Sequence, residues 1–167
     1  MIQIFDPKIY TDSRGWFYES FNEESFPIKF VQDNHSFSYR NVLRGLHYQI
    51  EKPQGKLVRC IRGQVLDVSV DLRINSATYG QVFYVILSDK NKRSVYIPEG
   101  FAHGFYTLDE ENIVFYSCSN YRNKNSETGI LWNDKDININ WPTKNPILSK
   151  KDKKNLSLKE YSRKFFL

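Results

Sequence analysis

The sequence predicts an all-β fold on three observations. The segment VLDVSVDLR (65–73) alternates apolar and polar residues at a period of two, which is the period of a β-strand. Other short segments are rich in β-branched and aromatic residues and are bounded by Gly, Asn, Asp or Ser, the residues of turns. Helical periodicity is scarce. Many short strands at this spacing are typical of a β-sandwich or a β-barrel.

The predicted strands follow one another through the middle of the chain. In chain order they are KLVRCI (56–61), VLDVSVDLR (65–73), QVFYVIL (81–87), RSVYIP (93–98) and NIVFYSCSNY (112–121). The polar run NYRNKNSET (120–128) predicts an exposed loop. Further along the chain, Ser149 stands three residues before Asp152, which matches a capping box and predicts the start of a short helix.

Composition predicts one globular domain, residues 1–167, without internal repeats. The chain is 40% hydrophobic and 16% aromatic, which is too rich in core residues for a disordered protein. Its length suffices for a core without disulfide or metal staples, and Cys60 and Cys118 lack CxxC spacing, so we expect reduced, buried thiols. No signal-like apolar segment follows Met1 and no apolar run is long enough to cross a bilayer, so we expect a cytoplasmic protein that does not bind membranes.

The chain is basic, with a net charge of +5 and a pI near 9.1. The excess is concentrated from Leu148 onward, and such a run is usually a solvated surface, so nucleic acid is not an expected partner. Basic residues in the body of the chain would suit a smaller anion, such as a diphosphate.

Any chemistry based on histidine has only His35, His47 and His103 to use. The segment IPEGFAHGF (97–105) places His103 after a Pro-x-Gly turn at a strand end, which resembles the second half of the signature of the cupins, small jelly-roll β-barrels. The first half, with paired histidines and a glutamate, is missing, because Tyr and Gln follow His47. We therefore expect no metal site, and instead a barrel interior that holds a polar small molecule.

The order of the motifs points to one family. They are DSRGWFYESF (12–21), FVQDNHSFS (30–38), VLRGLHYQ (42–49), PQGKLVRCIRGQVLDVSVDLR (53–73), SATYGQ (76–81), IPEGFAHGF (97–105), GILWND (129–134) and INWP (139–142). Together they resemble the dTDP-4-dehydrorhamnose 3,5-epimerase family of nucleotide-deoxysugar biosynthesis, over nearly the whole chain.

The resemblance implies an all-β, cupin-type jelly-roll barrel with a short C-terminal helix, and a homodimer that needs neither cofactor nor metal. The implied reaction converts dTDP-4-dehydro-6-deoxy-D-glucose to dTDP-4-dehydro-L-rhamnose by inversion at C3 and C5. The C4 ketone acidifies the protons on both carbons. Inversion then needs a base on one face of the ring, an acid on the other and a group that stabilises the enolate oxygen.

The resemblance also assigns roles to single residues. His47 matches the general base, and an imidazole suits proton abstraction near neutral pH. Asp152 matches the acid that orients this histidine, although by spacing alone it would cap the tail helix. Tyr116 matches the general acid of the opposite face, and Lys56 matches the cation beside the C4 oxygen. Without the resemblance, Tyr116 would be interpreted as a core residue and Lys56 as a surface lysine.

Further positions match the family's binding residues. Arg14, Phe17 and Glu19 match residues that hold the nucleotide, in this family partly across the dimer interface. Four polar residues match positions around the sugar diphosphate, and His103 matches a pocket-lining histidine that could equally be structural. The four are Gln32, Asn34, Arg44 and Arg59. Because strict alternation would put Arg44 and His47 on opposite faces of a strand, we expect a bend between them at Gly45.

The chain departs from the family pattern at Arg122, where an aromatic residue near the sugar is usual, and more mildly at Trp16, where phenylalanine is usual. Arg122 leaves a 3-epimerase or a 5-epimerase open as an alternative. A 3,4-ketoisomerase on the same fold, a non-catalytic jelly roll that binds a nucleotide sugar, and a metal-dependent cupin oxygenase are further alternatives.

Overall fold

The structure, a computed structural model, describes residues 1–24, 26 and 28–166, and of Phe166 the backbone alone. Most regular structure in these residues is β-strand. The elements are β1 (Gln3–Phe5), β2 (Tyr10–Asp12), β3 (Gly15–Phe17), β4 (Gln32–Tyr39), β5 (Leu43–Gln49), β6 (Lys56–Arg62), β7 (Gln64–Asp71), β8 (Val82–Ser88), β9 (Ser94–Ile97), β10 (Phe101–Thr107), β11 (Glu111–Cys118), β12 (Glu127–Gly129), a 3₁₀ turn (Asp152–Lys154) and helix α1 (Leu158–Phe166).

The strands form two five-stranded sheets and one separate hairpin. The first sheet has the order β1-β9-β6-β11-β4, the second has the order β12-β5-β10-β7-β8, and β2 pairs with β3. All named pairs are antiparallel. This is a cupin-type jelly roll, so the predicted fold class is confirmed. The five strands predicted in the middle of the chain are all present, within a few residues of their predicted ends.

The main core lies between the two sheets. Val58 of β6 and Val114 of β11 face Val65 of β7 and Phe105 of β10, and all four are buried. Because side chains alternate along a strand, every second residue on these strands also points into the barrel. Apolar residues fill one part of the interior, which leaves the other part to polar side chains.

Strand β7 is buried on both faces, which the alternation of its sequence does not reveal. Its apolar residues Val68 and Val70 pack outward, under a second cluster that includes Ile130, Ile137 and Tyr161 from the C-terminal third of the chain. Its polar residues share the face of Val65 and therefore point into the barrel: Asp67, Ser69 and Asp71 are almost fully buried. The polar face of this strand thus contributes to the interior and not to the solvated surface.

The C-terminal helix is present, but it begins later than predicted. Ser149 Oγ accepts a hydrogen bond from the backbone N–H of Asp152 (3.0 Å), and this contact opens only the 3₁₀ turn. The capping box of α1 is formed instead by Ser157 and Glu160, each of which accepts a hydrogen bond from the other's backbone N–H. Among the described residues, no helix combines the length and the apolar character needed to cross a membrane.

Candidate active site

A cavity of about 250 Å³ opens at the polar end of the barrel interior. Side chains from both sheets converge on it: β5 and β12 of the second sheet form one wall, and β4, β6 and β11 of the first sheet form the other. Its lining consists of Gln32, Asn34, His47, Tyr48, Gln49, Gln54, Lys56, Phe101, Tyr116, Arg122 and Glu127.

His47 and Asp152 form a hydrogen-bonded pair on the wall of this cavity. His47 Nε2 lies 2.7 Å from Asp152 Oδ1, and the side chain of His47 is 32% exposed while that of Asp152 is 4% exposed. Burial raises the pKa of Asp152, but the hydrogen bond and charge of His47, with the N–H of Gly45, outweigh it and hold the pKa below its usual value. Because the Asp152 carboxylate is hydrogen-bonded to Nε2 of His47, the other ring nitrogen, Nδ1, remains available to accept a proton from a substrate.

The pair depends on an irregularity in β5. His47 lies opposite His103 on β10 and Arg44 lies opposite Phe105, so Gly45 and Leu46 together face Gly104 alone. Gly45 has φ +124°, and a Cβ atom there would lie 2.6 Å from Gly104 Cα. The expected bend at Gly45 is therefore present. It puts Arg44 and His47 on the same face of the sheet, because their partners on β10 are two residues apart.

Lys56 and Tyr116 stand on the wall opposite His47, on neighbouring strands of the first sheet. Burial lowers the pKa of Lys56, although the charges of Asp67 and Glu127 act in the other direction. Burial raises the pKa of Tyr116, and the charges of Arg44 and Arg122 oppose that rise. Tyr116 is therefore a neutral hydroxyl over a wide pH range, while Lys56 loses its proton more readily than a lysine in water.

This arrangement can move protons on a carbonyl compound. A ligand in the cavity would have a histidine base on one side, a tyrosine hydroxyl on the other, and a cation that could stabilise an enolate oxygen. The family model of dTDP-4-dehydrorhamnose 3,5-epimerase matches residues 2–160 of this chain. The chain belongs to this family. The predicted membership is thereby confirmed.

This chain is similar to named relatives and to solved structures of the epimerase family over most of its length and of theirs. The dTDP-4-dehydrorhamnose 3,5-epimerase of Shigella flexneri is 54% identical, over 90% of this chain and 87% of the relative. That of Methanothermobacter thermautotrophicus is 53% identical, over 94% and 89%. The crystal structure of the Legionella pneumophila dTDP-6-deoxy-D-glucose-3,5-epimerase with dTDP-4-keto-L-rhamnose superposes with a TM-score of 0.90, at 47% identity, over 95% of this chain and 88% of that one.

A second histidine–carboxylate pair lies behind the epimerase cavity. His103 Nε2 is 2.7 Å from Asp67 Oδ2, and both side chains are almost completely buried. Burial lowers the pKa of His103, and the charges of Lys56 and His47 lower it further. The charge and hydrogen bond of Asp67 act in the opposite direction, but they are outweighed. His103 therefore lies directly opposite His47 in the sheet without lining the cavity, and its geometry fits the structural alternative.

The structure brings six of the predicted site residues together: His47, Asp152, Lys56, Tyr116, Gln32 and Asn34. Others lie outside the cavity lining. Arg44 is exposed at the end of the barrel, where its Nε donates to Ser38 Oγ (2.9 Å). Arg59 lies on the outer face of the first sheet, with its guanidinium 4.3 Å from the ring centroid of Phe115.

The predicted nucleotide-binding residues lie on another part of this chain. Arg14 and Phe17 belong to the β2–β3 hairpin, and their side chains are largely exposed. Phe17 and Glu19 line a separate, more apolar cleft of about 690 Å³, together with Phe21 and Phe26. Within one chain, these residues do not share a cavity with His47.

Sequence reasoning missed several residues of the cavity, notably Gln49, Gln54 and Glu127. Gln49 could have been found, because it stands two residues after His47 and therefore shares its face of β5. Glu127 gave no such signal. It lies in the segment predicted to be an exposed loop, of which residues 127–128 belong to the short strand β12.

Proposed function

We propose that the protein inverts C3 and C5 of dTDP-4-dehydro-6-deoxy-D-glucose to give dTDP-4-dehydro-L-rhamnose. Membership of the 3,5-epimerase family supports this, as does the Legionella relative solved with dTDP-4-keto-L-rhamnose. The observation that carries the proposal is the placement of His47 and Tyr116 on opposite walls of one cavity, with Lys56 beside Tyr116.

In the proposed reaction, His47 takes the proton from the carbon next to the ketone, and Asp152 stabilises the resulting imidazolium. Lys56 stabilises the negative charge that develops on the C4 oxygen. Tyr116 then donates its proton to the carbon from the opposite face. Solvent accepts the proton from His47 and returns one to Tyr116, and repetition at the second carbon completes the double inversion. All atoms and electrons balance with solvent protons alone, so the steps call for no oxidant or reductant.

We also propose that the enzyme works as a homodimer in the cytoplasm. Two features support a dimer. The hairpin exposes Trp16 and Phe17, and the outer face of the first sheet exposes Phe37, Tyr39 and Ile61. Clusters of exposed apolar residues often mark a surface that binds a partner. A second copy could bring its Arg14, Phe17 and Glu19 to the cavity of the first, where arginine suits a diphosphate and an aromatic face suits a base.

A single-site epimerase is the second candidate. A 3'-monoepimerase from Streptomyces bikiniensis, solved with dTDP-quinovose, superposes with a TM-score of 0.92 at 32% identity, over 99% of this chain and 88% of that one. Arg122 lines the cavity at the position where the family resemblance leads us to expect an aromatic residue. The higher identity to the named 3,5-epimerases favours double inversion.

The deciding experiment incubates the enzyme with dTDP-4-dehydro-6-deoxy-D-glucose in heavy water and identifies the product by NMR after a stereospecific reductase has trapped it. Deuterium at both C3 and C5, with the L-rhamno product, is expected. Deuterium at one carbon only would establish the single-site epimerase. A 3-keto product would establish a ketoisomerase, and binding without exchange would establish a non-catalytic binding protein.

A further inference from the structure

Glu127 connects the mouth of the cavity to the turn that carries Asp152. Its side chain is 15% exposed on the cavity wall, and both carboxylate oxygens are paired. Oε2 accepts hydrogen bonds from Arg122 Nε (3.1 Å) and Nη2 (2.7 Å), and Oε1 lies 2.8 Å from Lys151 Nζ. Burial alone would raise the pKa of Glu127, but these two cations lower it, so the carboxylate is charged at neutral pH.

Lys151 immediately precedes Asp152 and is the N-cap residue of the 3₁₀ turn. On the other side, Glu127 lies opposite Gln49 on β5, in the register that places Gly129 opposite His47. The Glu127–Lys151 ion pair therefore joins β12, the strand beside His47, to the 3₁₀ turn that carries Asp152. Other hydrogen bonds hold this turn and the residues after it to β5 and β12: Asp152 Oδ2 accepts from Gly45 N–H (3.4 Å), Asn155 Nδ2 donates to Gly45 O (3.4 Å), and Leu156 N–H donates to Gly129 O (3.2 Å). The ion pair adds a contact at the residue directly before Asp152.

We propose that Glu127 and Lys151 are positioning residues for the reaction: their ion pair holds the turn on the barrel wall, so that the Asp152 carboxylate stays on His47. Arg122 fixes the orientation of the Glu127 carboxylate from the side of the cavity mouth. The inference rests on the proposed function for its kinetic consequence. Its structural part concerns only the His47–Asp152 contact.

The kinetic test compares Lys151→Met with Lys150→Met, a neighbouring exposed lysine that has no part in the ion pair. Misplacement of a reacting group by about 1 Å can cost about a hundredfold in rate, so we expect kcat to fall about tenfold or more in Lys151→Met, with KM little changed. Lys150→Met should keep the wild-type kcat. Lys151→Arg should restore most of the loss, because it keeps the charge.

A double-mutant cycle tests whether the two residues act as a unit. Glu127→Gln should lower kcat about as much as Lys151→Met, and the double variant should be no worse than either single variant. Independent, multiplying losses would overturn the proposal. So would wild-type kcat in Lys151→Met.

A measurement on the free protein separates this proposal from the proposed function. The ring nitrogen NMR signals of His47 report its hydrogen bond to Asp152, and with only three histidines in the chain they can be assigned by substitution. We expect these signals to move in Lys151→Met and not in Lys150→Met. Unchanged signals would overturn the positioning role of Glu127 and Lys151, even if the enzyme catalyses epimerisation. If the signals move but the enzyme exchanges no proton at C3 or C5, the positioning role is supported and the proposed function is rejected.

Discussion

Two histidine–carboxylate pairs lie in the same barrel, and they differ in how far they are buried. Both have an N–O distance of 2.7 Å, and His47 and His103 are directly opposite each other on neighbouring strands. The His47 side chain is 32% exposed on the cavity, whereas the His103 side chain is 6% exposed behind it.

The difference teaches that a histidine–carboxylate pair is not by itself a catalytic device. A ligand in the cavity can reach the free edge of His47, while His103 is enclosed by protein. Burial also lowers the pKa of His103, which favours a neutral ring held by Asp67. We therefore expect substitutions in the first pair to change the reaction rate and substitutions in the second to change stability.

The largest expected effect is on turnover at the exposed pair. His47→Asn removes the general base, which typically contributes about a hundredfold to ten-thousandfold, so we expect kcat to fall about a thousandfold. The melting temperature should stay within a few degrees of wild type, because His47 is part-exposed. Steady-state kinetics and thermal unfolding of the same preparation check both parts; full turnover would refute the base assignment.

At the buried pair we expect the opposite result. His103→Ala leaves the buried Asp67 carboxylate without its hydrogen-bond partner, and an unpaired buried group of this kind costs about 3 kcal/mol in the free energy of unfolding. Urea unfolding measures this loss. If stability is instead unchanged and only KM rises, His103 contacts the substrate and the contrast between the two pairs is lost.

Lys56 lines the same cavity as His47, and its charge lowers the pKa of His103 in the buried pair, so its titration sharpens the comparison. Burial lowers its pKa, so it loses its proton below the ordinary lysine value of 10.5, whereas burial raises the pKa of Tyr116 above 10.0. We therefore expect kcat to fall at alkaline pH as Lys56 deprotonates, about tenfold per pH unit beyond its pKa.

Lys56→Arg is the matched variant for testing this alkaline fall in kcat, because a guanidinium stays charged over the whole pH range of the measurement. Its kcat should be lower at neutral pH, but the alkaline fall should move to higher pH. If kcat falls over the same alkaline pH range in both proteins, the titrating group is not Lys56.

The smallest effect concerns stability in acid. The pKa of Asp152 is lower in the folded protein than its usual value of 3.8, so the ionised Asp152 carboxylate, with its hydrogen bonds, stabilises the fold at neutral pH, and this contribution is lost as the pH falls through the lowered pKa. Asp152→Asn should therefore be less stable than wild type by about 1 kcal/mol at pH 7 and equal to it in strong acid. Urea unfolding at several pH values tests this, and a difference that persists in strong acid would contradict it.

The sequence predicted the fold class, the middle strands and the residues of the cavity centre well, because each depends on local pattern or on a motif. It failed where one segment meets another. Ser149 was expected to start the helix, although two serines with suitable partners were available and packing selected Ser157. Glu127 was placed in a loop because nothing nearby in the sequence indicates that its strand lies beside β5.

By itself, the sequence determined the all-β fold class, since alternation and turn residues are written in the chain, and its ordered motifs made His47, Lys56 and Tyr116 candidates through the family resemblance. Only the tertiary structure decided which of two similar histidines faces the cavity. His47 and His103 both lie on barrel strands, and both have a carboxylate partner from a distant part of the chain. Their exposure depends on what the opposite sheet places over each ring, and no local pattern encodes that.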